Sequence, residues 1–540
     1  MKVIDKLLGA VGLRGGAAMP APAPRPSSAY MRGGRNLVFA NWRPAVRESQ
    51  TDISVAWDQA AARVTDAIHN SGWLAGAIEQ AVANTVGTGL RLKVAPENSL
   101  FGMAPAEARA WGRMVEARFG LWADRKDECD IRAMLTFGEM QAAGFKSWLA
   151  TGEVLAGLPY RKQPWNTSGT KVRLLSPARL KRQTSAFERL VDGVYTDTEG
   201  MPLAYLTTRK TPHGFTEDYR VAARDRMGRP NVVHVFTGLP ETHRGISPMV
   251  PALQVARQFD QLSDATLTAA ILQTMFAATI TGEAPTEETV EGLMSPQEFA
   301  QFKAGGGSTM EAFMLANSAY YDGTTFDTSI NGRVAHLFPG QQLDFKTVQA
   351  PGIQFEAYVK MILRELCRCL GMLYESGTGD YTSATYASLN AGTAEVYKVT
   401  QARRKAILVP FVQPVYEAWL EEEIFDGRIP FPGGYEAFLA NRAAACRAEW
   451  FGTPRPQGDD LKLAKAHEVW RRLGVVSDQM IANDLGVDIE DVYEQRAREA
   501  ELRAEYNLPE PEMMAANGGT AGGAAEDDPP DPDPDDPITK

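Results

Sequence analysis

No run of apolar residues in these 540 positions approaches the roughly 18 that a bilayer-spanning helix requires. Met1 to Leu13 is short and amphipathic, with Lys2 and Lys6, and it has neither the apolar core nor the cleavage site of a secretion signal. The protein is therefore expected to work where it is made, with no membrane partner. Cysteine is scarce. Cys129, Cys367, Cys369 and Cys446 are too few and too scattered for a disulfide scaffold or a zinc site, and they read as reduced, buried thiols. His69, His213, His234, His243, His336 and His467 show no ligand spacing, so neither metal nor cofactor is expected. There is no H-E-x-x-H, no G-x-S-x-G and no G-x-x-x-x-G-K-S/T, and no catalytic residue is assigned. A basic surplus is missing as well. The formal net charge is −11, which disfavours tight static binding to DNA.

The remaining composition is that of an ordinary globular protein, 44% hydrophobic and 23% charged, long enough for several compact regions. Both ends differ from the body. Residues 1–50 are rich in Gly, Ala, Pro and Arg, with Pro20, Pro22, Pro24 and Pro26. Residues 515–540 are Gly/Ala-rich and then carry the acidic run from Glu526 to Asp536. Neither end can bury enough surface to offset its ordering entropy, so both are expected to be dispensable for folding.

Within the body, helical spacing runs from Trp57 to Val86 and stops at Val86-Gly87-Thr88-Gly89. Leu90, Leu92 and Val94 then alternate as a strand. Residues 105–122 and 131–151 read as helices. From Gly152 to Phe236 the pattern becomes short alternating runs, Val172–Leu175, Val191–Tyr195, Leu203–Thr207 and Val232–Phe236, which is an antiparallel β region. The fold class is α+β, mainly helical.

Two helices carry most of the architecture. From Met249 to Phe276, Ala252, Val255, Phe259, Leu262, Thr266 and Ala269 form a narrow stripe suited to a neighbouring helix. From Gln354 to Leu370, Phe355, Tyr358, Ile362, Leu366 and Leu370 share one face, and Gly371 stops the helix. Between them lies a poorly periodic insert, 278–350. After them come a polar stretch with two glycines, Tyr374 to Thr385, and a helical stretch from Ala387 to Ile424. Pro410 and Pro414 are expected to kink or break that helix. Glu421-Glu422-Glu423 reads as a solvated face, and residues 455–508 give two or three small polar helices.

Several segments in this order resemble the portal proteins of lambda-like tailed phages and prophages. They are Asn70-Ser-Gly-Trp73 to Ile78, Asn84-Thr-Val-Gly87-Thr-Gly89, Phe119-Gly-Leu-Trp122-Ala123, Gly152-Glu153-Val154 and Leu175-Ser-Pro-Ala-Arg-Leu180. Gly193-Val-Tyr-Thr-Asp197, Gly200-Met-Pro202-Leu-Ala-Tyr205, Val233-His-Val-Phe236, Arg244-Gly-Ile-Ser247, Pro251-Ala-Leu253 and Phe411-Val-Gln-Pro-Val-Tyr416 continue it. Gly379-Asp-Tyr-Thr-Ser-Ala384 resembles a family loop but is shorter and lacks its Asn-Tyr pair. The similarity covers about residues 55–450.

The resemblance implies a ring of about twelve copies at one capsid vertex, through which double-stranded DNA is packaged and ejected. It implies a disordered arm over 1–50, a wing over 51–248, stem helices over 249–277 and 351–371 with a clip (278–350) between them, and a channel loop over 372–386. A kinked wing helix and its following segment would occupy 387–450, with a crown over 451–508 and the acidic tail over 509–540. Stem packing then falls to Val255, Phe259, Leu262, Tyr358, Ile362 and Leu366, and the channel lining to Glu375, Thr378, Asp380, Tyr381, Thr382 and Ser383. The implied partners are further copies, the major capsid protein and scaffold, the large terminase subunit, a head-completion or connector protein, and DNA in transit, read without sequence preference. Another head–tail connector or baseplate ring protein fits less of the pattern. A packaging nuclease or hydrolase would need an acidic metal cluster that the sequence does not show.

Overall fold

The computed structural model describes residues 48–210, 216–275, 279–282, 296–306, 341–344, 353–455 and 460–508, with single positions between 311 and 318. The helical pattern after Trp57 is two helices, α1 (Ser49–Asn70) and α2 (Gly72–Thr85), because Ser71 between them is extended (φ −101°, ψ 114°). Gly87 (φ 60°) and Gly89 (φ 114°) then turn the chain into strand β1 (Arg91–Val94). Only glycine suits the second of these, because a Cβ on Gly89 would sit 2.8 Å from the Gly138 backbone.

Helix α3 (Pro105–Asp124) opens on a first-turn proline. The helix expected from 131 begins later, as α4 (Phe137–Thr151). Asp130 draws the preceding residues out of helical geometry by accepting from the backbone N–H of Arg132, Met134 and Leu135 at 3.1, 3.0 and 3.2 Å. Thr136 and Glu139 then cap α4 reciprocally, each accepting from the other's N–H.

The β region holds β2 (Glu153–Gly157), β3 (Arg173–Leu175), β4 (Leu190–Val191), β5 (Val194–Thr196), β6 (Pro202–Lys210), β7 (Thr216–Ala222) and β8 (Val232–Phe236). They form an antiparallel three-stranded sheet in the order β3-β2-β8 and a four-stranded sheet in the order β4-β5-β6-β7. Leu155, Leu180, Val194, Tyr205 and Ala223 make a small separate core here.

Helix α5 (Leu253–Met275) leads to β9 (Thr279–Gly282), helix α6 (Pro296–Ala304), β10 (Gln341–Asp344) and helix α7 (Ile353–Leu370). β9 and β10 pair antiparallel, Thr279 opposite Asp344, which draws the two ends of the insert together at its base. Most of the insert, together with 1–47 and 509–540, lies outside the described residues.

Helix α8 (Tyr374–Thr378) and helix α9 (Tyr386–Arg403) come next. A π turn (Arg404–Leu408) joins α9 to α10 (Val409–Phe425). The two prolines therefore do not break the helix. The wider winding of the π turn ends just before Pro410, where a missing N–H is tolerated, and Pro414 is carried inside α10. Strand β11 (Ala448–Phe451) returns to pair with β1, and helices α11 (Asp460–Arg472), α12 (Asp478–Asp484) and α13 (Ile489–Tyr506) close the described chain.

The main core is aromatic. Phe119 on α3 packs edge-on against Trp419 and Tyr416 of α10, with ring centroids 5.1 and 5.7 Å apart. Burying each such side chain contributes about 1.5–3 kcal/mol, so α10 is the post on which α3, α4 and the β region are mounted. Among the described residues no helix is long and apolar enough to cross a membrane.

Candidate functional site

The segment singled out by sequence, 372–386, is built against α7. Gly371 (φ 69°) ends that helix, and a Cβ there would meet Val399 and Arg403 of α9 at 2.9 and 3.1 Å. Arg403 donates to the Leu370 carbonyl, which fixes α7 to α9 at the turn. Tyr374 to Thr378 is not open loop, as the sequence suggested, but the short helix α8, ending at Gly379 (φ 72°).

Asp380 organises the turn beyond α8. It accepts from the Tyr374 hydroxyl at 3.1 Å, from Thr382 Oγ1 at 2.6 Å and from the Thr382 N–H at 3.2 Å. Lys360 of α7 stands 3.8 Å away. The Thr382 bonds first, and then Tyr374 and Lys360, hold the Asp380 carboxyl below the usual carboxylate range. Thr378 donates to the Tyr374 carbonyl at 2.7 Å, and Arg364 lies over the Tyr374 ring. The Ala384 N–H closes a turn onto Tyr381 at 3.1 Å, and Thr385 caps α9 by accepting from Ser388 N at 3.3 Å.

The side chains left outward are Tyr381, Thr382 and Ser383, while Glu375 and Thr378 are half-buried. The segment is thus a buttressed polar ridge. Of its two acids, Asp380 faces Lys360 of α7.

The six candidate packing residues on α5 and α7 separate. Val255, Ile362 and Leu366 are buried within the chain, Phe259 and Leu262 are half-buried, and Tyr358 is exposed. Phe259 meets Trp73 of α2 edge-on at 6.3 Å, so part of its burial is internal. Leu267 on α5 and Met361 on α7 are exposed apolar side chains that sequence reasoning did not separate from the buried stripe.

A buried clamp ties the segment leading into α5 to the β region, and its residues lie in two of the segments that carry the resemblance, Gly152-Glu153-Val154 and Arg244-Gly-Ile-Ser247. Arg244 Nε and Nη2 donate to Glu153 Oε1 and Oε2 at 2.6 and 2.9 Å, with both side chains fully buried. Arg244 also donates to the Asp192 carbonyl at 2.9 Å and lies over the Trp57 ring. Glu153 accepts once more, from the Gly245 N–H at 2.8 Å. Burial opposes ionisation of Glu153, but His234 and Arg244 more than offset it and hold its carboxyl below the ordinary range. Ser247 completes the joint by donating to the Leu149 carbonyl at 2.5 Å. Gly152 (φ 90°) and Gly245 must be glycine for this approach, since Cβ atoms there would sit 2.2 and 2.3 Å from backbone.

Glu421-Glu422-Glu423 is a correction to the sequence reading. These residues are buried, not solvated. Helix α10 is surrounded on nearly every side, so its acids turn to the 166–171 segment, whose N–H groups have few strand partners. Glu422 accepts from the N–H of Gly169 and Thr170 at 2.6 and 2.7 Å. Glu423 accepts from Ser168 Oγ at 2.6 Å and from Arg428 at 2.8 and 2.7 Å. All four cysteines are free, Cys369 being half-buried and the others buried. Among the described residues no group of three or more His, Cys, Asp or Glu side chains could hold a metal.

A family model, the lambda family of phage portal proteins, matches residues 35–404, and the chain belongs to that family. It is a structural subunit of the phage portal. It is similar to the portal protein of Escherichia phage N15, 24% identical over 492 residues that cover 90% of this chain and 92% of that one. It is also similar to portal protein B of Escherichia phage lambda, 25% identical over 510 residues, with 91% and 93% covered. Among solved structures it is similar to the neck of an empty GTA particle, with a TM-score of 0.41 at 14% identity covering 83% of this chain and 96% of that one. A second is the virion of a native gene transfer agent, with a TM-score of 0.35 at 16% identity covering 76% and 99%.

Proposed function

We propose that copies of this chain, about twelve, close into a ring at one capsid vertex and that double-stranded DNA passes through its centre during packaging and ejection. In this reading α5 and α7 are the stem, 278–350 is the clip, and 51–248 with 387–450 form the wing. Helices α11 to α13 form the crown. The clip docks the large terminase subunit and later a head-completion protein, while capsid protein and scaffold meet the wing. The subunit itself is not an enzyme, and force comes from a separate ATPase.

The observation that carries this reading is the pairing of α5 with α7 around an insert closed at its base by β9 and β10. The ridge 374–385 lies at the exit of α7. Leu267, Tyr358 and Met361 supply exposed apolar surface on those helices for neighbouring copies. The ridge suits a sliding surface. Duplex DNA carries about one charge per 1.7 Å, and dense cationic contacts would brake it. Hydroxyls and acids offer hydrogen bonds and weak repulsion instead.

Ser383→Lys tests the assignment without touching the Asp380 network. In procapsids it leaves assembly intact, slows packaging and adds low-salt DNA binding to isolated rings. Wild-type packaging together with unchanged DNA binding would remove 374–385 from the channel wall.

A further inference from the structure

The charge of this chain is unevenly placed. Between residues 153 and 236 there are fourteen Lys and Arg against eight Asp and Glu, a local surplus of +6 in a chain of −11. Part of that surplus lines a groove of about 470 Å³ between the β3-β2-β8 sheet and the β4-β5-β6-β7 sheet. Arg173, Arg179, Arg209 and Arg220 line it with Thr207, Thr208 and Tyr219, and no acidic residue does. Arg173 and Arg209 are exposed and Arg179 is half-buried.

Neighbouring cations have partners. Lys162 pairs with Asp426 at 3.0 Å, Lys181 with Asp218, and Arg182 with Asp58 at 3.6 Å. Within the groove, Arg220 lies over the Tyr195 ring. The other three groove arginines, Arg173, Arg179 and Arg209, form no ion pair with a carboxylate of the described residues. Glu217 stands opposite Arg209 in the register of β6 and β7 without closing one. The β6–β7 connection, Thr-Pro-His-Gly-Phe, has no carboxylate to add.

Three guanidiniums without ion-pair partners, on a groove that no carboxylate lines, suit an anion with bidentate donors. The same chain carries a matching ligand. Glu526 to Asp536 holds seven carboxylates in eleven residues, alternating with proline from Pro530 to Asp535. In an extended Asp-Pro alternation the carboxylates recur about every 6 Å, and the fixed proline φ lowers the ordering cost of docking. From Leu508, the last described residue, to Glu526 the chain can reach about 60 Å.

We infer that the acidic C-terminal tail, residues 526–536, is the ligand of this arginine groove. It docks there in its own subunit or in the adjacent one and screens a cationic surface from the DNA handled nearby. This goes beyond the conduit role and does not depend on where the channel lies.

The test uses a fluorescent synthetic peptide of residues 524–540 and its anisotropy. Three proteins are compared: the full chain, a chain lacking only 526–540, and that shortened chain carrying Arg173→Gln and Arg209→Gln. Both arginines are exposed, so unchanged melting controls for folding. The shortened chain is expected to bind the peptide, with affinity falling steeply from about 50 to about 300 mM salt. The full chain should bind about tenfold more weakly or worse, because its own tail occupies the groove at high effective concentration. The double variant should lose about tenfold or more.

Equal peptide binding by the full and shortened chains, or binding unchanged in the double variant, overturns the inference. A short DNA duplex that binds the full and shortened chains equally through Arg173 and Arg209 overturns it too, and makes the groove a nucleic-acid surface.

Discussion

Removing Arg244 should cost this protein more than any single surface change, and the amount is set by the groups left behind. In Arg244→Met, Glu153 keeps the Gly245 N–H and His234 but loses two charge-assisted bonds in a site without water access. The Asp192 carbonyl loses its donor as well. Breaking one side of a buried pair costs about 3–5 kcal/mol, because an uncompensated charge remains. For a cooperative unit of this size that is a fall in apparent Tm of about 5 °C.

Glu153→Gln should cost less, since it leaves the amide able to accept from Arg244, and the double variant should cost less than the sum of the two. The pH dependence has a definite sign. The Glu153 carboxyl is held below its unfolded value, so its contribution is complete above about pH 4.5 and is lost as pH falls through the folded value. Glu153→Gln should flatten that acid limb. Calorimetry of wild type, both single variants and the double variant across pH 3 to 7 measures all of this. Additive single costs, or an Arg244→Met cost under about 1 kcal/mol, would refute the clamp as the element that holds α5 to the β region.

Gly152→Ala should lower the apparent Tm or prevent soluble expression, because its Cβ would sit 2.2 Å from the Ile246 backbone; a wild-type melt contradicts this. The carboxyl of Glu116 is raised to about 7, by burial first and by Asp488 and Asp491 next. Ionising it therefore opposes the contact of β1 and α3 with the start of α13, where Lys93 pairs with Asp488. Between pH 5 and 8 the α11–α13 region of wild type should become more sensitive to protease, while Glu116→Gln should stay flat. Deleting 1–47 should leave the melting transition in place, and a collapsed melt would show that the segment completes the core.

The legible parts of the sequence were those with local signals. The period of 3.6 and the stop at Gly371 place α7 to within a residue at its start, and Val232–Phe236 is β8 as read. What escaped notice depends on contacts far apart in the chain. β1 pairs with β11 across more than 350 residues, and the β11 sequence Ala-Glu-Trp-Phe has too little alternation to announce a strand. Three consecutive glutamates look solvated until a loop with unpaired N–H groups is brought to them. Gly152-Glu153 and Arg244-Gly245 were visible as segments, but their ion pair joins positions 91 residues apart and has no local signature. The helix continues through Pro410 because a π turn absorbs the missing donor, which depends on how α10 is packed and not on its period.

Electron cryomicroscopy of the purified full-length chain tests the central claim most directly. The account predicts closed rings of about twelve copies around an open hole, with α5 and α7 tilted about the axis and Tyr381 to Ser383 at its narrowest point. A monomer at micromolar concentration and moderate salt, or a ring in which 374–385 faces outward, would contradict it.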